Sequence, residues 1–557
     1  MSDLFDKILD ERNIRCAIQF TIAGLRKEIY CNSIQLDYCA THQEKYLKRI
    51  TSILKNYKNY HPSYAIKAVK YKNEFAIRNL IVLDIDDAII RTCIALVFAN
   101  ELENLLIDNC FSNRRGDQLR KNNTLFEDYS QHGWQRFCDW QIKSVSQYSL
   151  LLSSDISSFY DSIGHEYLIH AARDVFQLKS SDPVIQLFTK SLKIKHVYSS
   201  SGQPVEVKHG ITIGSLANHV FANLFLHQID LFMNALDGIS YGRYVDDIRI
   251  FANSKDAIMK SLQYLQMKLF NAGLNLNGAK TAFAGNKKLL NRLVSERLFT
   301  YLDLEDDRKF NPPTPGKIVK IQEDLGKFQI SVLKDTDVPL NGNYRDIREW
   351  KGVKLTENPS LITEYFHTLN HLIDNNYERI DFKIIDRIFR ILVASPKNEK
   401  YACWLISRMI IDFRFDEVSR VRILNRVLNL MNSRKITAYA LYRFMFILGI
   451  QPYIEYYDYS LLNNALGGLL RDKFVNAVSK MLNSKALIVQ ITGLHAVKVY
   501  NDSHTKDLAI KVRFFKDVKS NGMLKKNREL LRKLPKAESK FEVTIEEALE
   551  RLEGQYS

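Results

Sequence analysis

The stretch that most constrains this chain is Ile239 to Phe251, ISYGRYVDDIRIF. Ser240, Gly242 and Tyr244 alternate with the residues between them up to Asp246-Asp247, and Ile248, Ile250 and Phe251 resume an apolar run. Period two on both sides of a carboxylate pair predicts a β-hairpin with the acids at its tip. Two adjacent aspartates there repel and raise one another's pKa, a cost that a bound divalent cation removes. A solvated turn is the plain alternative, and a third carboxylate in a matching setting argues against it.

That carboxylate is Asp155, in SLLLSSDISSFYDSI. Leu150, Leu151 and Leu152 predict a buried strand running into Asp155, with a turn toward a helix at Phe159-Tyr160. An aspartate ending one strand, beside an Asp-Asp hairpin, is the donor set for two Mg²⁺ ions roughly 3.5–4 Å apart. Such a pair polarises an attacking 3′-hydroxyl and stabilises leaving pyrophosphate.

Tyr244-Val245-Asp246-Asp247 resembles the YxDD motif of reverse transcriptases, and Asp155-Ile156-Ser157-Ser158-Phe159-Tyr160 resembles their first catalytic motif. Four motifs follow in the family's order across roughly residues 60–300. The resemblance implies an α+β fold of reverse transcriptase-like fingers and palm, an RNA-directed DNA polymerase using two Mg²⁺ ions. It implies Asp155, Asp246 and Asp247 as catalytic residues. Asp155, Asp246 and the Ile156 carbonyl would be metal ligands, with Asp247 in support.

The same resemblance suggests nucleotide contacts. Tyr64 to Leu83 suits a fingers hairpin, and Arg78 is its candidate for the triphosphate of the incoming deoxynucleotide. Tyr160 stands at the aromatic steric gate that excludes a 2′-hydroxyl. Phe111-Ser112-Asn113-Arg114-Arg115-Gly116 resembles the second fingers motif, and a surface loop accounts for it equally well. Gly210-Ile211-Thr212-Ile213-Gly214 departs from the majority, with Ile213 where glutamine is usual and Asn218 where serine is usual. Gly214 would allow close backbone approach to the nucleotide, and Asn218 would line it. The apolar residue resembles the phage-defence, abortive-infection branch of bacterial reverse transcriptases and puts ordinary high-fidelity copying in doubt. Lys280, after Gly273-Leu274-Asn275, resembles the lysine that approaches the leaving phosphates.

A chain of 557 residues implies two or three domains. A net charge of +16 and pI of about 9.2 favour a polyanionic partner, a basic protein with no nucleic-acid role being the alternative. Seven cysteines without CxxC pairing read as reduced, mostly buried thiols. The N-terminus has no apolar signal core and no run approaches a membrane span, so a cytoplasmic protein with no membrane partner is expected. Residues 1–310 would be fingers and palm with a helical extension over 1–60. On that extension Leu47, Ile50, Leu54 and Tyr57 share one face, opposite Lys45, Lys48, Arg49, Lys55 and Lys58.

A Pro-rich run at 311–316 opens a linker or thumb-like segment to 358. From 359 to 557, apolar stripes such as Ile384, Ile388, Ile391 and Leu392, or Val421, Leu424, Leu428 and Met431, predict an all-α helical-repeat, HEAT-like solenoid. Its C-terminal region is basic, with Thr544 and Glu547 in a capping box.

The expected function is a Mg-dependent DNA polymerase of the reverse transcriptase family in antiviral defence, protein-primed, with non-standard or no templating. An RNA-templated retron- or group II intron-type enzyme is the alternative. Expected partners are DNA product, a non-coding RNA template or scaffold, deoxynucleoside triphosphates and further copies of the chain as trimer or hexamer. Aromatic residues Tyr439, Phe444, Tyr453 and Tyr456 suggest the self-association surface. A priming tyrosine should be mobile, and Tyr30, Tyr38, Tyr46 and Tyr556 are the candidates among 28 tyrosines.

Overall fold

The computed structural model describes residues 3–27, 30–71, 77–115, 133–197, 204–211, 216–286, 382–394, 399–411, 415–433, 470–484 and 486–503, with short runs within 289–294, 365–380 and 526–533. Helices α1 (Asp3–Leu9), α2 (Glu11–Lys27), α3 (Ser33–Thr41) and α4 (Gln43–Lys55) form the predicted helical start. On α4, Leu47, Ile50 and Leu54 are buried, while Lys45, Lys48, Arg49 and Lys55 are exposed. The apolar stripe faces α2 and α5 (Ile85–Glu103), and the basic face is exposed, with Arg49 paired to Asp86.

Helix α5 is buried along nearly its whole length, as its all-round apolar sequence demands. It starts at Ile85 and ends at Glu103. Asp84 caps it by accepting from the Asp86 N–H.

Two sheets follow. Strands β1 (Ala65–Tyr71) and β2 (Ile77–Val82) form the expected fingers hairpin. β1 also pairs in parallel with β4 (Lys195–Val197), which carries β5 (Val205–Glu206) on its other edge. The second sheet has the order β6-β7-β3-β8, from β6 (Ile239–Tyr244), β7 (Asp247–Ala252), β3 (Leu150–Asp155) and β8 (Ala282–Ala284). Alternation sends its side chains to two clusters. Leu152 and Ile250 enter the main core with α10 (Leu216–Asn234) and α11 (Lys255–Asn271). Leu151 and Phe251 face α6 (Trp134–Gln147) across Cys138, Ile142 and Val145. Three more helices, α7 (Phe159–Ser162), α8 (His165–Val175) and α9 (Pro183–Leu192), link β3 to β4.

In the C-terminal part, α12 (Phe382–Ala394), α13 (Glu399–Ile411), α14 (Glu417–Asn432), α15 (Arg471–Leu482) and α16 (Leu487–Ser503) each pack on the next. The stripe read on α14 is buried at Leu424, Leu428 and Met431. The 311–358 segment, Tyr439, Phe444, Tyr453, Tyr456, Thr544, Glu547 and Tyr556 lie outside the described residues. None of the seven cysteines is in a disulfide, and only Cys16 is exposed. Among the described residues no helix is long and apolar enough to cross a membrane.

The C-terminal part is fastened to the N-terminal one by buried polar contacts. His495 on α16 meets Asp37 Oδ2 at 3.1 Å and Ser33 Oγ at 3.0 Å, both on α3. Lys526 Nζ reaches Asp84 Oδ1 and Oδ2 at 2.8 and 2.7 Å and Asp86 Oδ2 at 3.5 Å. Burial alone would lower the Lys526 pKa; Asp84 and Asp86 outweigh it and leave the ammonium favoured. Asp86, by contrast, stays above the usual carboxylate range, because burial outweighs Lys526. The ammonium therefore compensates a charge cluster that burial opposes. Lys526→Ala removes that cation and should cost roughly 3 kcal/mol in urea unfolding, the range for breaking a buried pair. Unchanged stability would show that the cluster does not need Lys526.

Candidate active site

The site forms where three pieces of chain converge at the end of β3. Asp155 closes that strand, opposite Asp247 in the register with β7. The Ile156 N–H donates to Asp246 O at 3.1 Å, fastening the strand end to the hairpin tip. From the other side, the Asn277 N–H donates to Asp155 O at 2.7 Å and the Ser157 N–H to Asn275 O at 2.8 Å. These two bonds flank the Ile156–Leu276 bridge, so that bridge leaves the Ile156 carbonyl unused. Ser158, at φ 47°, then turns the chain into α7.

The hairpin tip is a two-residue loop, Val245-Asp246, between the paired Tyr244 and Asp247. Val245 has φ 56°, where a β-branched side chain is strained by about 1–3 kcal/mol. Its N–H donates to Ser112 Oγ at 2.7 Å and its C=O accepts from Arg243 Nη1 at 3.2 Å.

Arg243 is itself buried and bound to Asp230 on α10. Its Nε lies 2.8 and 3.0 Å from the two Asp230 oxygens, and Nη2 2.7 Å from Oδ2. Tyr241 donates its hydroxyl to the same carboxylate at 2.8 Å. Asn223 accepts from Arg243 Nη1 at 3.1 Å and donates to Ser112 O at 3.0 Å, closing the network. Burial pulls the Arg243 pKa down and Asp230 more than reverses it, so the guanidinium stays charged. Gly242 is required next to it, since a Cβ there would come within 2.7 Å of the Trp140 ring.

Asp246 is pushed up to about 6, first by burial and then by the Asp155 charge. Lys280, in a 3₁₀ turn over Gly278–Lys280, sets its Nζ 2.9 Å from Asp155 Oδ2. Asp247 is engaged differently. Arg249 takes both its oxygens, Nη1 at 2.6 Å and Nη2 at 2.9 Å, and is braced by Gln141 and the Phe137 ring. Asp247 thus supports the hairpin while Asp155 and Asp246 face one another's charge.

These two carboxylates and the Ile156 carbonyl could hold divalent cations. Among the described residues no three His, Cys, Asp or Glu side chains gather into a metal-holding group.

The remaining predicted residues are distributed unevenly. Tyr160 is half-buried on α7, and burial and then the Asp246 charge raise its pKa, so both belong to one site. Arg78 is exposed on β2, and its charge is felt at Asp161, beside Tyr160. Asn218 is buried, and its Oδ1 accepts from Arg91 Nη2 at 2.9 Å. That bond joins α10 to α5. Arg114 likewise turns inward, to Glu103 Oε1 at 2.7 Å and the carbonyls of Ile107 and Cys110. Gly214 and Ile213 lie outside the described residues, as does Gly116.

Sequence reasoning missed Asp230, Arg243, Asn223, Ser112 and Arg249. One signal was available: Asp230 is a lone acid in the apolar helix LANHVFANLFLHQIDLFMN, and Arg243 a lone base in β6.

A four-stranded sheet that presents two aspartates and a lysine at one strand end has the groups that two-metal nucleotidyl transfer requires. Residues 76–315 match the reverse transcriptase (RNA-dependent DNA polymerase) family. That stretch, a little under half of the chain, is therefore similar to a reverse transcriptase domain. Among solved structures, apo telomerase from Candida tropicalis, truncated from its C-terminal domain, is similar at TM-score 0.30 and 12% sequence identity. That match covers 42% of this chain and 53% of the telomerase chain, about half its length. No curated protein matches this chain.

Asp230→Ala leaves Arg243 charged and buried without its partner, at a cost of roughly 3–5 kcal/mol. Denaturant unfolding should show that loss, and nucleotide incorporation should fall with it as Val245 relaxes. Wild-type stability in this variant would contradict the role given to the pair.

Proposed function

We propose that the chain is a Mg²⁺-dependent reverse transcriptase acting in defence against phage. The observation that carries the catalytic part is the meeting of Asp155 and Asp246 at the end of β3, with Lys280 on the pair. Asp155, Asp246 and the Ile156 carbonyl would hold two ions. When bound, the ions activate the attacking 3′-hydroxyl and offset charge on the leaving pyrophosphate.

This chain's own residues do the rest. Lys280 neutralises or protonates the leaving pyrophosphate, and is half-exposed on a turn that a triphosphate can reach. Arg78 on the fingers hairpin takes the triphosphate from the opposite side. Tyr160 packs under the sugar as the gate against a 2′-hydroxyl, giving deoxynucleotide selectivity. Asp247, held by Arg249, keeps the hairpin in register.

The defence role rests on Ile213 where most of the family carries glutamine, and on the helical array that follows the palm. The array is read as a HEAT-like scaffold over 359–557, joined through 311–358 to the polymerase of 1–310. It would assemble the chain into a trimer or hexamer. Priming by the chain's own tyrosine is part of the same reading. Tyr30, Tyr38 and Tyr46 are buried and do not suit it, which leaves Tyr556 of the original four.

Purified protein, Mg²⁺ and labelled deoxynucleotides, with and without an RNA template, test the reading. Polymer should form, and Asp155→Asn and Asp246→Asn should each reduce it by at least a hundredfold with the circular dichroism spectrum retained. Near-wild-type synthesis by either variant at saturating Mg²⁺ would remove the metal assignment. Product that stays with protein in denaturant until protease is added supports self-priming; freely migrating DNA opposes it and favours a retron- or intron-type enzyme.

A further inference from the structure

The phenol of Tyr160 is not left to find its own position. Its oxygen lies 2.8 Å from Nδ1 of His219, on the first turn of α10, and the rings meet edge to face at 5.9 Å and 89°. Two physical facts keep both partners of that bond neutral. Burial drops the His219 pKa to about 4, so the imidazole is neutral at physiological pH and can offer a ring-nitrogen lone pair. Burial and the nearby Asp246 charge raise the Tyr160 pKa, so the phenol keeps its proton. The phenol O–H donates to Nδ1 when the imidazole carries its proton on Nε2, and in the other tautomer Nδ1–H donates to the phenol oxygen; either bond ties the ring to His219. The Asn113 amide also reaches the phenol, but its buried nitrogen makes no well-formed bond there, so His219 is what fixes the ring.

We propose that His219 is a positioning residue for nucleotide-sugar selection, locking the Tyr160 ring so that it refuses a 2′-hydroxyl. The inference rests on the reading of Tyr160 as the gate and adds a second residue to it. Both partners stand on rigid supports. Tyr160 is anchored through its own carbonyl, which accepts from the Ile211 N–H at 2.8 Å. His219 lies on the helix that also carries Asn218, Asn223 and Asp230, each bound to another element. For the ring to give way to a ribose hydroxyl, the bond to His219 has to break in a site where water is scarce.

The test is the ratio of kcat/KM for a deoxynucleotide to that for the matching ribonucleotide. Equilibrium binding of dATP and ATP with Ca²⁺ reads the same preference without turnover. His219→Phe should lower the ratio roughly five- to tenfold, the value of one lost hydrogen bond, through a lower KM for the ribonucleotide. His219→Asn, which returns an acceptor oxygen near the place of Nδ1, should restore most of it. Tyr160→Phe deletes the same bond from the other end and keeps the ring, so it decides the matter should His219→Phe fold poorly. Combining it with His219→Phe should then cause no further drop.

An unchanged ratio in both single variants, or fully additive losses in the double, would overturn the role of His219. Tyr160→Ala separates that failure from failure of the gate. If it relaxes selection while the bond-deleting variants do not, the gate stands and His219 does not act through it. If it too leaves the ratio unchanged, Tyr160 is not the gate and the inference falls with it.

Discussion

The buried pair of Asp230 and Arg243 is the interaction on which the site depends. A strand-to-strand turn of two residues ordinarily takes glycine or asparagine where φ is positive. Here the position is Val245, and a valine stays there only if the surroundings over-determine it. Arg243 supplies that constraint from within β6 by holding the Val245 carbonyl, with Ser112 on its N–H. Asp230 makes it possible to bury the guanidinium at all, since an unpaired charge there would cost more than the strain it corrects. The chain runs from a helix acid to a strand base to a strained turn, and the turn carries Asp246.

The same logic divides the three aspartates. Asp155 and Asp246 are brought together by a backbone bond and left with Lys280 as the cation at hand. Asp247, one residue on, points its carboxylate into Arg249. Alternation along β7 accounts for this, because residues 247 and 249 share a face. Adjacent acids at a hairpin tip thus serve different ends, one poised by burial and a like charge, the other neutralised as part of the scaffold.

Much of this was legible in the sequence because local periodicity and turn position suffice for it. The 239–251 hairpin, the strand into Asp155, the fingers hairpin and the buried stripe of α14 all follow from apolar spacing. What was not legible depends on contacts between distant segments. Asn218 read as a nucleotide contact by its place in a motif, yet Arg91, more than a hundred residues earlier, claims its side chain. Tyr30, Tyr38 and Tyr46 looked available for priming, yet tertiary packing buries all three. Lys526 belongs to the basic C-terminal region, where sequence shows charge but no partner, and it compensates Asp84 and Asp86. Periodicity reports which face of an element is apolar, not which partner fills a polar gap.

The central claim is that Asp155 and Asp246 form one cation site completed by a triphosphate. Mn²⁺ titration followed by electron paramagnetic resonance, with a deoxynucleoside triphosphate present, measures this without relying on turnover. The account predicts nucleotide-dependent Mn²⁺ binding to the wild-type protein that is weakened at least tenfold in both Asp155→Asn and Asp246→Asn. Equal Mn²⁺ affinity in the wild type and both variants would contradict it.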